Sequence, residues 1–312
     1  MSMEEFSVEN QVFSEQDGAW QVLSQMLPVA DWTADANVGR IDQAVDPCRR
    51  GASEEADRFT DPFDAMARSL YRRNRRHVIV TGLDGVGKTC FVREFARRAA
   101  AGVIPYLKNA KFLWIGCGNV GPEDSRACLE TIVTSVAGRA NVVLCLDNLD
   151  ALLKRPSGGS NKPLLGAVAG RADIQIVGIM SKWSYEDLIG GDARMLKLFD
   201  RIEIEEPGED AVLEIVGQAA ARFEREFRLK ISDQVVRRTV MLSSNFMLNA
   251  NNPAKSVNLL QQVCEDADYE RTQLGNQRSE VTTADVVRTI AETTGIPEAT
   301  IAGQDGRNRF GR

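Results

Sequence analysis

Lys88 and Thr89 close the octapeptide GLDGVGKT, residues 82–89, and their chemistry suits the phosphates of a nucleoside triphosphate. Glycines at Gly82, Gly85 and Gly87 let backbone N–H groups turn inward around a β-phosphate. Lys88 reaches the β and γ oxygens, and the Thr89 hydroxyl ligates Mg²⁺. Asp84, Val86 and Cys90 complete the residues expected around those phosphates. Asp147 ends the apolar run VVLCLD (142–147), the right place for an acid that holds Mg²⁺ through its water shell. Thr89 and Asp147 are therefore the candidate metal residues.

Such residues work only where a strand ends and a helix begins. The octapeptide follows HVIVT (77–81) and opens CFVREFA (90–96), so strand, glycine loop and helix stand in sequence. Further short apolar runs at 112–115, 142–146, 174–179 and 201–204 make five strands. The inner ones are nearly continuous in apolar residues, as strands buried on both faces must be. Helical patterns over 89–101, 125–137 and 185–199 lie between them, which predicts an α/β fold with a parallel five-stranded sheet flanked by helices. Ligands of such sheets sit at the carboxyl ends of the strands, where Gly82 to Thr89 and Asp147 both fall. After Pro207 the strands are expected to stop. Residues 209–227, 232–246, 253–274 and 282–294 read as four helices, with Ser232 and Thr282 at N-caps and Pro253 at a first helical position.

Composition narrows the class. The 312 residues are 43% hydrophobic and 26% charged, the balance of an ordinary globular chain. No apolar stretch approaches the ~20 residues of a membrane span. The start Met-Ser-Met-Glu-Glu lacks the basic and apolar regions of a signal peptide, so the expected location is cytoplasmic. Six scattered cysteines and one histidine, His77, give no zinc-site spacing and read as reduced structural thiols. Residues 1–70 carry 14 acids against 5 bases, while the rest is nearly balanced. That balance argues against nucleic acid as a partner, though it does not exclude it. The arginines of RRNRR (72–76) read as the charged end of a helix rather than as a phosphate patch. The segment 20–27 is either a partner-docking or a packing helix, 46–62 a surface insertion, and 154–162 a flexible basic loop.

An α/β domain followed by a small all-helical domain is the AAA+ plan, and the chain resembles the first ATPase domain of Clp-type AAA+ unfoldases and disaggregases. The likeness is carried by WTADANVGRID (32–42), RRNRRHVIVTGLDGVGKT (72–89), VVLCLDNLDALL (142–153), SYEDLIGGDARMLKLFDRIEIEEP (184–207), NPAKSVNLLQQV (252–263) and TGIP (294–297). It implies an AAA+ P-loop NTPase fold. The large domain is then 31–207, the small helical domain 208–297, with an acidic segment at 1–30 and a flexible tail at 298–312. The family's amino-terminal substrate domain and second ring have no counterpart, so a single-ring module or a piece of a longer chain is expected. ATP and Mg²⁺ are the implied cofactors. A homo- or hetero-oligomeric ring of AAA+ subunits and a protein partner or client are the implied partners. Lys255 lies where the small domain of such proteins faces nucleotide, and either Met180 or Ser181 matches the family's polar sensor, Ser181 being the one that keeps it.

Against that pattern three departures stand out. The glutamate that should follow Asp147 and polarise the attacking water is Asn148. An amide holds water but cannot take its proton. Asp150 could substitute only if its carboxylate turned back toward Asp147. The family's paired arginine fingers are Lys197-Leu198, which keep one charge and lose the planar fork, with Arg194 and Arg201 the nearby alternatives. The loop 116–122 is short, and no Phe, Tyr or Trp occurs between Ile115 and Lys182 to grip a threaded polypeptide. The expectation is a Clp-like module that binds Mg-ATP with weak or absent hydrolysis, as an assembly switch or scaffold. The alternative is an active ATPase that remodels protein or nucleoprotein complexes without threading. A kinase or GTPase is disfavoured, since no NKxD sequence is present.

Overall fold

The computed structural model describes residues 18–37 and 61–303, apart from positions 138, 140, 157, 172–173 and 274–277. Among these the chain forms two compact units, one of residues 18–37, 61–82 and 88–204, the other of 83–87 and 205–303.

The first unit is built on a six-stranded sheet. Its strands are β1 (Val29–Asp31), β2 (His77–Thr81), β3 (Lys111–Gly116), β4 (Val142–Asp147), β5 (Ile174–Ile179) and β6 (Phe199–Glu203), in the order β1-β3-β4-β5-β2-β6. The five strands expected from the sequence pair in parallel, and β1 adds an antiparallel edge against β3. Three residues are too few for any periodicity, so this sixth strand leaves no sequence signal. It also carries the first unit back across the boundary expected at residue 31. Helix Gly18–Met26 belongs there too: Leu23 and Leu27 are buried in the main core, which is packing rather than an exposed docking face for those residues. Of the lead-in 32–42, Trp32–Asn37 is helical and the rest lies outside the described residues.

Local chemistry sets the helix ends. Asp61 caps helix Pro62–Tyr71 by accepting from Phe63 N, with Pro62 in the first turn. The insertion expected at 46–62 otherwise lies outside the described residues. The arginines after that helix are structural, as anticipated: Arg72 and Arg75 pair with Asp200, and Arg76 donates to Ile174 O at 3.0 Å. The single helix expected over 185–199 is instead Lys182–Tyr185, a wide turn Glu186–Gly190, and Met195–Leu198. Gly190 and Gly191 weaken the helix, and Asp192 restarts it by accepting from Arg194 N and Met195 N. The basic loop at 154–162 is closed at its base by a bridge between Lys154 and Ser160. Buried Asn161 there donates to Leu152 O at 2.8 Å.

The second unit holds helices Glu209–Phe227, Asp233–Phe246, Ala254–Gln273 and Thr283–Thr294. Ser232 and Thr282 cap theirs, the latter in a reciprocal pair with Asp285, while Pro253 falls just before its helix rather than in the first turn. This unit is not purely helical: β7 (Lys230–Ile231) and β8 (Glu280–Val281) form a two-residue parallel ladder. Nor does a free tail begin at 298, because helix Glu298–Ala302 buries Ile301 in the core of the unit. Residues 1–17 and 304–312 lie outside the described residues. Among the described ones no helix is long and apolar enough to cross a membrane, and five cysteines are unpaired, four of them buried.

His77, at the start of β2, is buried between strands. Its Nδ1 must accept from Ile176 N at 3.0 Å, because a backbone N–H only donates. The proton is therefore on Nε2, which donates to Ala169 O at 2.7 Å. Burial lowers its pKa from 6.5 to about 4, against the Ala169 bond and with the Arg76 charge. The unfolded chain takes up this proton first, so the contribution of neutral His77 is complete above pH 6.5. It is lost as pH falls toward 4, up to about 3 kcal/mol. Urea unfolding between pH 7 and 4.5 is expected to show this slope, and His77→Gln to flatten it. Equal slopes in both proteins would refute the assignment.

Candidate nucleotide site

The first unit brings together Gly82, Lys88, Thr89, Asp147, Asn148 and Ser181 at the carboxyl ends of its strands. Lys88 and Thr89 open helix Lys88–Ala100, whose buried face of Phe91, Val92 and Phe95 fixes its position. Lys88 Nζ donates to Gly82 O at 3.1 Å, and Lys182 N donates to the same oxygen at 3.2 Å. The carbonyl that opens the loop is thus held from the helix that begins at Lys88 and from the chain after β5. Cys90, one residue past Thr89, is exposed and contributes no bond to this set.

Asp147 Oδ2 accepts from Thr89 Oγ1 at 3.0 Å and from Trp114 Nε1 at 3.3 Å, while Oδ1 accepts from Asn148 N at 3.1 Å. Burial and the neighbouring Asp147 charge raise the pKa of Cys117, and the same two causes act on Cys145, so neither thiol is a nucleophile here. A hydroxyl and a carboxylate held together are hard oxygen donors of the kind Mg²⁺ takes beside phosphates and water. The residues present fit that ion.

Asn148 lies in the left-handed region, at φ 56° and ψ 49°, at the position just before helix Leu149–Leu153, with no side-chain capping bond. Asparagine tolerates that conformation better than a longer side chain, because its short polar group bonds locally. Asp150 does not turn back toward Asp147: its Oδ2 accepts from Ser184 Oγ at 3.0 Å. Met180 is buried in the core, whereas Ser181 Oγ meets Ser184 Oγ at 3.0 Å and accepts from Ser184 N at 3.0 Å.

The finger positions Lys197 and Leu198 share one short helix. Lys197 and Arg194 are exposed at helix Met195–Leu198, and Leu198 packs on the main core. Arg201 is committed to Glu186, Glu203 and Thr81, which removes it as a substitute.

The loop residues Leu83–Gly87 belong to the second unit. Asp84 O accepts from Asn251 Nδ2 at 2.9 Å, and Gly85 O from Ala254 N at 3.1 Å. Gly85 has φ +87°, and a Cβ there would stand 3.0 Å from Ala254 Cβ and 3.1 Å from Asn251 O. Gly87 also has positive φ, at 100°, and Val86 is buried. Lys255 is buried in the same unit, its Nζ donating to Met247 O at 3.4 Å. Sequence reading missed Trp114, Ser184 and Asn251. A serine three residues after Ser181 was a visible capping signal; Trp114 reaches Asp147, and Asn251 reaches Asp84, only through tertiary packing.

Residues 78–174 match the family described as ATPase family associated with various cellular activities (AAA), and residues 208–308 match the AAA lid domain. The chain is similar to the ATP-dependent Clp protease ATP-binding subunit ClpE of Bacillus subtilis, 24% identical over 85% of this chain and 36% of that protein. It is also similar to the chaperone protein ClpB of Oceanobacillus iheyensis, 24% identical over 74% of this chain and 28% of that one. The AAA+ ATPase ClpV1 of Pseudomonas aeruginosa is 26% identical over 75% of this chain and 29% of its own. Among solved structures, the S. cerevisiae Hsp104:casein complex superposes with a TM-score of 0.71 at 20% identity, over 92% of this chain and 47% of that chain. The S. cerevisiae Hsp104–ADP complex gives 0.70 at 20% identity, over 89% and 46%. The chain therefore spans about a third of the length of these curated relatives and just under half of the solved chains.

Two glycines of the second unit make a matched test. Gly85→Ala meets both positive φ and close neighbours, and is expected to destabilise by about 1–2 kcal/mol. Gly217 lies inside helix Glu209–Phe227 with nothing near its Cβ position, so Gly217→Ala is expected to stabilise by up to about 1 kcal/mol. Urea midpoints moving in the same direction for both would contradict this reading.

Proposed function

This chain belongs to the Clp-type AAA+ family, and from that premise we propose that it binds Mg-ATP, hydrolyses it weakly or not at all, and serves as a nucleotide-dependent assembly switch or scaffold. One observation carries the reading. Asn148 stands beside Asp147, while Thr89 keeps its bond to Asp147 and Lys88 its bond to Gly82 O. Lys88 supplies charge for the β and γ oxygens, and Thr89 with Asp147 holds Mg²⁺, which neutralises phosphate charge when bound. Asn148 orients water without taking its proton, and loss of a general base costs roughly 10²–10⁴ in rate. Lys197 offers a point charge where a planar fork would serve a γ-phosphate, and Leu198, half-buried, packs against the core. In the loop after β3, Val120 packs on the main core, which supports a role other than gripping a threaded chain.

A module of this kind uses ATP through differential binding to its assembled and free states. A homo- or hetero-oligomeric ring with other AAA+ subunits, a protein partner and a cytoplasmic setting complete the proposal. Lys255, buried at the start of helix Ala254–Gln273, is proposed as a nucleotide neighbour in that assembly.

Lys88→Ala is expected to abolish ATP binding in a calorimetric titration, and unchanged affinity would refute the site. Wild-type turnover with Mg²⁺ is expected to lie near background. Turnover that disappears in Lys88→Ala would replace the switch with the remodelling ATPase that does not thread its client. Asn148→Glu alone is expected to cost about 1 kcal/mol of stability, for a longer side chain at positive φ. Turnover is expected to rise when Leu198→Arg is added; a rate unmoved in the double variant places the defect elsewhere.

A further inference from the structure

Ser181, Ser184 and Asp150 form a chain of hydrogen bonds whose direction is forced. A carboxylate only accepts, so Ser184 Oγ must donate its one proton to Asp150 Oδ2, at 3.0 Å. Ser184 then has no proton left for its neighbour. In the 3.0 Å contact between the two hydroxyls, Ser181 is therefore the donor. Ser184 N donates to Ser181 Oγ at 3.0 Å as well, which fills one of its acceptor directions. The hydroxyl of Ser181 is left with acceptor capacity alone.

The position of Ser181 gives this direction a consequence. Its neighbour Lys182 donates its backbone N–H to Gly82 O, the oxygen that also receives Lys88 Nζ. Ser181 thus sits one residue from the anchor shared with the phosphate-binding lysine, at the carboxyl end of β5 beside β2. A terminal phosphate presents only acceptor oxygens at neutral pH. An acceptor-only hydroxyl beside it makes no bond, and opposes it slightly.

We propose that Asp150 and Ser184 set the preference of the site between ATP and ADP by holding the Ser181 proton away from the γ-phosphate. The proposal rests on the nucleotide-binding reading above. It assigns Asp150 a positioning role exerted through two hydroxyls, in place of the water-activating role that its sequence position invites. Ser184→Ala removes the acceptor of the Ser181 proton and frees it to point at phosphate. Asp150→Asn gives Ser184 an amide donor, which allows the chain to reverse.

Calorimetry with ADP and with a slowly hydrolysed ATP analogue, both with Mg²⁺, tests this on the full chain. In Ser184→Ala the affinity ratio is expected to shift toward the ATP analogue by about tenfold, the size of one hydrogen bond to a charged group. Asp150→Asn is expected to move it the same way by a smaller factor, with ADP affinity little changed in both. Adding Ser181→Ala to either variant is expected to return the ratio to the wild-type value. A ratio within twofold of wild type in both single variants, with melting curves showing them folded, overturns the proposal. So does a shift that survives Ser181→Ala. Wild type that binds neither nucleotide overturns the site reading itself, and Lys88→Ala run alongside separates that outcome from the other two.

Discussion

The Asp147 carboxylate joins more of the first unit than any other polar group at the sheet's end. One oxygen takes the hydroxyl of Thr89 and the indole N–H of Trp114, and the other takes the backbone N–H of Asn148. These bonds tie the helix that begins at Lys88 to β4 and β3. Trp114 is itself held by its ring, stacked on Trp32 with centroids 5.8 Å apart. Position 116 is a glycine because a Cβ there would lie 2.9 Å from the same indole. The early segment Val29–Asn37 therefore acts on the site at one remove, by setting where the indole points. A hydrogen bond to a charged group contributes about 1.5–3 kcal/mol, so three on one carboxylate are a large share of the stability of any domain.

A second junction is the Gly82 carbonyl. It receives Lys88 Nζ from the helix and Lys182 N from the chain after β5. Since Lys182 follows Ser181, the chain after β5 and the start of helix Lys88–Ala100 share one fixed point. Any movement of β5 relative to β2 moves both. Close packing resists such movement: Gly178 in β5 lies where a Cβ would come 2.5 Å from Leu149 Cδ2, directly after Asn148. The strands and the turn at Asn148 are packed closely, and small residues at Gly116 and Gly178 are what let them approach.

Much of this was legible in the sequence for a physical reason. Strands buried on both faces must be apolar throughout, so β2, β4 and β5 announced themselves, and a glycine loop between strand and helix has few other uses. Ser232 and Thr282 were readable because capping is local. What escaped was short or tertiary. β1 has three residues and the β7–β8 ladder two on each side, below any period. The break at 190–192 was written in two glycines and an aspartate, but was outweighed by helical residues around it. Trp114 looked like one more apolar residue in a strand, and only the register of β3 against β4 brings it to Asp147. Hydrogen-bond direction at Ser181 depends on a carboxylate 31 positions earlier, which no local pattern contains.

The three departures from the Clp pattern share a property that sequence alone does not display. Two of the residues concerned, Leu198 and Val120, pack against the first unit's core, and a third, Asn148, sits at a backbone position suited to its type. Asn148 occupies a left-handed backbone position that favours asparagine over a glutamate with its longer side chain. Leu198 is drawn into the main core, with its Cδ1 3.8 Å from where a Cβ on Gly166 would stand. Val120 folds the loop after β3 back onto that same core, with its N–H on Cys117 O at 3.0 Å. A residue that must act on a ligand or a neighbouring subunit is held in a state its own fold leaves incomplete, and functional sites store strain or unmet bonding for that reason. Here Lys88, Thr89 and Asp147 keep polar groups together at the end of the sheet, whereas Leu198 and Val120 pack on the core and Asn148 and Lys197 stay exposed. Side chains packed on the core add to the stability of the unit and stand out of reach of a ligand or a threaded chain, which is the physical ground for proposing nucleotide binding with little turnover.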